Sequence, residues 1–135
     1  MAKQPFSSPS APRPIGPYSA ALRVGQLLFV SGQVPIDPAT GQVVAGEVAA
    51  QTHRVLANIG ALLEAAGLTF AHVARTTVFL ADMNDFVAMN EVYTTYFSEP
   101  YPARSTVQAA RLPCDAQVEI DAIAVYDAGG AARPT

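Results

Sequence analysis

The segment Tyr101-Pro-Ala-Arg-Ser-Thr-Val-Gln-Ala-Ala-Arg-Leu-Pro-Cys-Asp-Ala-Gln-Val-Glu-Ile-Asp-Ala-Ile-Ala124 decides how this chain folds. Its second half, from Gln117 to Tyr126, sets Val118, Ile120, Ala122 and Ala124 against Glu119, Asp121, Ile123 and Val125, the period-two alternation of a strand with one buried face. Ala103 to Ala109 alternates in the same way, with Arg104, Thr106 and Gln108 on one side and Ser105, Val107 and Ala109 on the other. Leu112-Pro113 breaks the chain between the two strands.

Working upstream, the pattern changes to helical spacing. A helix is expected from about Asp85 to Phe97, with Phe86, Met89, Tyr93, Tyr96 and Phe97 as its apolar stripe and Asp82 or Asn84 as N-cap. His72 to Leu80, dense in Val, Thr and Phe, reads as a strand. Glu47 to Ala66 carries Val48, Val55, Leu56, Ile59, Leu62 and Leu63 at helical spacing, and Gly67 stands where a left-handed C-terminal cap belongs. Asp37 to Gly41 is a turn, Gln42 to Val44 a candidate short edge strand, and Ser19 to Val24 and Leu27 to Ser31 pair as a hairpin through Gly25-Gln26. The order β-β-α-β-α-β-β predicts an α+β fold, a sheet with both helices on one face. Residues 15–127 form one domain in this reading. Residues 1–14, rich in Pro and Ser, are expected to be a mobile arm, and residues 128–135 a flexible tail.

Only 14% of the residues are charged, and half are apolar. So few charges are met either by burying surface in an oligomer or by a surface rich in Ser, Thr, Gln and Ala. A net charge of −3 without a Lys/Arg cluster disfavours nucleic acid and acidic membranes as partners. The first ten residues lack the apolar core of a signal peptide and no segment reaches membrane-span length, so a cytoplasmic location is expected.

Arg104 is either a solubilising strand residue or a grip on a small carboxylate, for which the planar guanidinium fork is the best side chain. Glu119 either pairs with an arginine, Arg104 or Arg111 among them, or works on water as a general base. Asn90 falls on an otherwise apolar stripe, where a buried amide needs a backbone partner or a ligand. Tyr18 follows Gly-Pro at a turn and is either packing or an amphipathic pocket wall. Ser31-Gly32 lacks the context of a nucleophile elbow, but a glycine there lets backbone N–H approach an anion. His53 and His72 have no second ligand at zinc spacing, Cys114 has no histidine nearby, and no nucleotide-binding loop occurs; neither metal nor organic cofactor is expected.

Six short motifs occur together and in order: Ile15-Gly-Pro-Tyr-Ser19, Phe29-Val-Ser-Gly-Gln-Val-Pro35, Ala65-Ala-Gly-Leu68, Thr76-Thr-Val-Phe-Leu80, Pro102-Ala-Arg-Ser105 and Val118-Glu-Ile-Asp-Ala-Ile-Ala124. From about Ala11 to Tyr126 the chain resembles the RidA/YjgF family of reactive-intermediate deaminases. The resemblance implies a chorismate-mutase-like fold assembled as a homotrimer with clefts between subunits. It further implies ligand binding by Tyr18, Ser31, Gly32, Asn90 and Arg104, with Thr106 beside them, and catalysis by Arg104 and Glu119. Many members carry cysteine where Thr106 stands, and the loop Ser98 to Pro102 is shorter than in some. The implied reaction is hydrolysis of 2-iminopropanoate or 2-iminobutanoate to the 2-oxo acid and ammonia. A module that senses 2-oxo acids or amino acids without turnover is the alternative, and an RNA-directed translation inhibitor a more distant one.

Overall fold

Eighteen residues form the longer helix, α1 (Val48–Ala65), and its end is written in the sequence. Gly67 adopts φ +80°, its N–H donates to the Glu64 carbonyl, and the Leu68 N–H donates to the Leu63 carbonyl. This double closure satisfies carbonyls that the last turn would otherwise leave open. The buried stripe Val55, Leu56, Ile59, Leu62 and Leu63 is wholly excluded from solvent, each side chain contributing about 1.5–3 kcal/mol of transfer free energy.

The computed structural model describes residues 2–127. Its six strands are β1 (Lys3–Phe6), β2 (Ala21–Val24), β3 (Leu27–Gln33), β4 (Val73–Leu80), β5 (Ala103–Gln108) and β6 (Val118–Val125), and the second helix is α2 (Phe86–Tyr93). They form one sheet in the order β1-β2-β3-β6-β4-β5. Only β4 and β5 pair in parallel; the other neighbours are antiparallel. A parallel pair needs a crossover, and α2 supplies it. Among the described residues, no helix is long and apolar enough to cross a membrane.

Both helices lie on one face, as expected for α+β. Val118, Ile120, Ala122 and Ala124 of β6, with Leu28 and Val30 of β3 and Val78 and Leu80 of β4, pack beneath them. The opposite face has no covering layer among the described residues. Leu27, Phe29, Val107 and Val125 there are each about two-fifths exposed.

Three expectations are corrected. Residues 3–6 are not part of a mobile arm: they form β1, paired from Lys3 with Val24 to Phe6 with Ala21, and Ala11 is buried in the core. An edge strand tolerates Pro5 and has almost no buried side chains, so neither composition nor periodicity reveals it. Gln42 to Val44 makes a single bridge, Ile36 to Val43, instead of a strand. The second helix ends at Tyr93, where the Thr95 hydroxyl donates to the Val92 carbonyl, although Phe97 still packs into the core. Asp82 caps the short 3-10 turn before α2 by accepting from the Asn84 N–H. The tail expected at 128–135 lies outside the described residues.

Candidate functional site

Register fixes the faces on which the candidate residues stand. Arg104 of β5 pairs with Thr76 of β4, and Thr76 with Ala122 of β6, so all three point to the helix side. Glu119 pairs with Phe79, which pairs with Val107, and these point to the open side. β4 lies between the two strands. Arg104 and Glu119 are therefore about 10 Å apart along the strands and about 10 Å across them, on opposite faces of the sheet. Neither makes an ion pair with any described residue; Arg111, the other arginine considered for Glu119, binds Asp115 at 2.7 Å.

On the helix side, the Arg104 guanidinium lies over two aromatic rings of α2, 4.8 Å from the centroid of Tyr93 and 5.6 Å from that of Phe86. Arg104, Asn90, Tyr93, Tyr101 and Pro102 border a cleft of about 350 Å³. Asn90 Oδ1 is buried and has no hydrogen-bond partner among the described residues. An acceptor left so costs about 1–3 kcal/mol, which a donor entering the cleft would recover. Thr106 shares Arg104's face two residues further along β5, where it pairs with Val78.

On the open side, Tyr18, Ser31, Gly32 and Glu119 border a second cleft, with Ile15 and Pro113 at its rim. Val30 pairs with Ala122 and Gln33 with Ile120, so Ser31 and Gly32 together face one residue of β6, a β-bulge. A side chain at Gly32 would collide with the Glu119 carboxylate. The anion that Gly32 admits within the chain is thus Glu119 itself. The Ser31 hydroxyl donates to the Ser19 carbonyl at 2.6 Å, holding the preceding loop, and its N–H donates to Ala20. Tyr18 is half exposed, and its hydroxyl accepts from the Ile15 N–H.

Burial pushes the Glu119 carboxyl above the ordinary glutamate range, and the Asp121 carboxylate two residues on adds to the push. Asp121 itself accepts from the Thr77 N–H. A carboxylate that is partly desolvated and lacks a cation is a stronger base than a solvated one.

Two candidate groups result: Arg104 with Asn90, and Glu119 with Tyr18, Ser31 and Gly32. The histidines serve structure. His53 contacts the Tyr96 hydroxyl, and His72 accepts from the Thr69 N–H in a capping box. Cys114 is an exposed loop thiol with φ +59°. Sequence reading places Tyr93 in the apolar stripe and Asp121 on Glu119's face of β6 but gives neither a role at the site. The usable signal for Tyr93 is its place three residues after Asn90, on the same helical face.

A family model described as Endoribonuclease L-PSP matches residues 8–126. The chain belongs to this family, the RidA/YjgF family. It is 52% identical to a RutC family protein of Pyrococcus abyssi, over 92% of this chain and 98% of the relative. It is 50% identical to the mouse protein named 2-iminobutanoate/2-iminopropanoate deaminase, over 89% of both. Among solved structures, E. coli TdcF with bound serine superposes with a TM-score of 0.87 at 43% identity, covering 92% of this chain and 99% of TdcF.

Proposed function

We propose that this member of the RidA/YjgF family hydrolyses small 2-imino acids, such as 2-iminopropanoate and 2-iminobutanoate, to 2-oxo acids and ammonia in clefts shared between copies of the chain. The observation that carries this reading is the separation of an unpaired Arg104 and an unpaired, half-buried Glu119 on opposite sheet faces. Residues so placed act on one small molecule only when each comes from a different copy. The uncovered apolar face supplies a surface for that assembly, and a closed ring of three copies repeats one such cleft three times. The mouse relative's name and the serine bound to TdcF support a small amino-acid-derived ligand.

In this cleft Arg104 holds the substrate carboxylate through two parallel charge-assisted hydrogen bonds, and Asn90, Thr106 and Tyr18 complete its walls. Holding the carboxylate fixes C2 relative to water, which converts a bimolecular attack into an oriented one. The iminium carbon is already electrophilic. As water oxygen bonds to C2, Glu119 takes one water proton and the C=N pair moves to nitrogen, giving a neutral carbinolamine. Glu119 then passes that proton to the amino group; the C–N bond breaks, the hydroxyl proton passes to Glu119, and the 2-oxo acid leaves while ammonia takes that proton from Glu119 as ammonium, restoring the carboxylate. The Gly32 backbone lies where it lets the Glu119 carboxylate approach.

A coupled assay that generates 2-aminoacrylate in the presence of the protein tests the reading. Faster appearance of pyruvate with the wild type than with Arg104→Ala is expected; equal rates would sink it. The bound serine in TdcF also fits a binding module that does not turn over its ligand, and the same assay separates the two. RNA as a substrate, which the family model's description suggests, has less support in a chain of net charge −3.

A further inference from the structure

Arg104 is a long, flexible side chain on an edge strand, with no carboxylate among the described residues to hold it. Such a side chain sweeps many rotamers, and ordering it costs up to about 2 kcal/mol. A clamp that is to bind a small anion well must have that cost met beforehand. In many sites a neighbouring acid does so, but an acid competes with the ligand for the same donors. Here the ordering elements are aromatic. The guanidinium lies 4.8 Å from the Tyr93 centroid and 5.6 Å from that of Phe86. Cation–π contact takes up none of the guanidinium's N–H donors, so beyond the bond to the Tyr93 hydroxyl they are left to a ligand.

The Tyr93 ring is itself fixed. It stacks on Phe97 at 4.4 Å between centroids, and its hydroxyl meets the Thr76 hydroxyl at 2.7 Å. Thr76 is fully buried, and it is also the register partner of Arg104. Two polar hydroxyls are thus buried directly beneath the arginine in a layer that would otherwise be apolar, at a desolvation cost that an apolar pair of the same shape would not incur.

We infer that Tyr93 and Thr76 form a positioning pair for Arg104, Thr76 locking the Tyr93 phenol so that its ring and hydroxyl hold the guanidinium at the cleft. The electrostatics agree: burial raises the Tyr93 hydroxyl's pKa, while the Thr76 hydrogen bond and then Arg104's charge and hydrogen bond draw it back. The inference rests on the proposed carboxylate clamp and adds the residues that set its geometry.

Calorimetric titration of the full chain with 2-oxobutanoate tests it. Tyr93→Leu should weaken binding about tenfold, the scale of a desolvated cation–π contact. Tyr93→Phe and Thr76→Val should each weaken it about threefold, and the double variant no more than either alone, because both cut one link. Low concentrations of free guanidinium should restore binding to Arg104→Ala when Tyr93 is present and not when it is Leu. Thermal unfolding is followed in parallel; a fall in stability with unchanged affinity would assign the pair a structural role and overturn the inference. Wild-type affinity in Tyr93→Leu and Thr76→Val, with binding lost in Arg104→Ala, would overturn it while leaving the clamp intact. If the wild type and Arg104→Ala bind 2-oxobutanoate alike, clamp and positioning pair fall together.

Discussion

Arg104 and Glu119 occupy opposite faces of a single sheet with β4 between them, and neither has an oppositely charged partner among the described residues. Two unpaired, oppositely charged side chains that cannot meet within a chain act on one small molecule only across two copies, as the proposed function requires.

Chains carrying Arg104→Ala or Glu119→Gln should each be inactive alone. Mixed in equal amounts, unfolded and reassembled, they should recover activity at about a quarter of the sites, since each shared cleft draws one residue from each of two neighbours at random. Recovery of none would show that both residues must come from one chain. Sedimentation should return three times the 14.1 kDa chain mass, and a monomer at micromolar concentration would remove the shared cleft altogether.

Arg104→Ala should lose roughly a hundredfold or more in kcat/KM, because two charge-assisted hydrogen bonds vanish. Arg104→Lys keeps the charge without the fork and should recover little of this loss. Near-wild-type turnover by the lysine variant would exclude bidentate clamping.

Glu119→Gln should abolish turnover while preserving 2-oxo acid binding, since the amide keeps the shape and cannot accept a proton. If affinity fell together with turnover, the carboxylate would be ordering the ligand and not moving a proton.

The raised pKa of Glu119 has a defined sign. A carboxyl whose folded pKa exceeds its unfolded value binds protons more tightly in the native state, so it favours folding at low pH and loses that contribution as pH rises from the unfolded to the folded value. Activity should move the other way, rising through the same window as the base ionises. Glu119→Gln should therefore be slightly more stable than the wild type at neutral pH, by less than ~1 kcal/mol for a group that remains half exposed. Matched urea titrations at pH 4 and pH 7 read the difference; a larger advantage at pH 4 would contradict it.

Gly32→Ala places a methyl group in the space of the Glu119 carboxylate. It should cost about a hundredfold in kcat, the scale expected for displacing a reacting group by an ångström, with little change in the unfolding midpoint. Undiminished turnover would mean that the Glu119 position in the free chain is not the working one.

Periodicity was legible where a face is buried. Alternation placed Arg104, Thr106 and Gln108 on one face of β5 and separated Glu119 from Val118 and Ile120 on β6, and helical spacing marked the stripe of α1. Strand order was not legible, because pairing depends on contacts distant in sequence and no local pattern states that β4 enters between β5 and β6. For that reason the two alternations could not be related to each other, and the opposite facing of Arg104 and Glu119 stayed hidden. β1 escaped because its contribution is backbone pairing. Tyr93 escaped because an aromatic ring fills an apolar stripe whether or not its hydroxyl has work to do.

The bulge at Ser31 and Gly32 behaves as a spatial reading frame. Before it, Leu28 and Val30 face the helices; after it, Gln33 does, so the count of residues changes parity without the strand changing direction. Loss of one residue there would restore plain alternation, and Gln33 would stay opposite Ile120 and facing the helices. The damage would fall on the open side alone, where the Ser31 hydroxyl holds Ser19 and Gly32 leaves room for the Glu119 carboxylate. A single-residue deletion in this short stretch is thus silent for the core frame and audible only at the cleft.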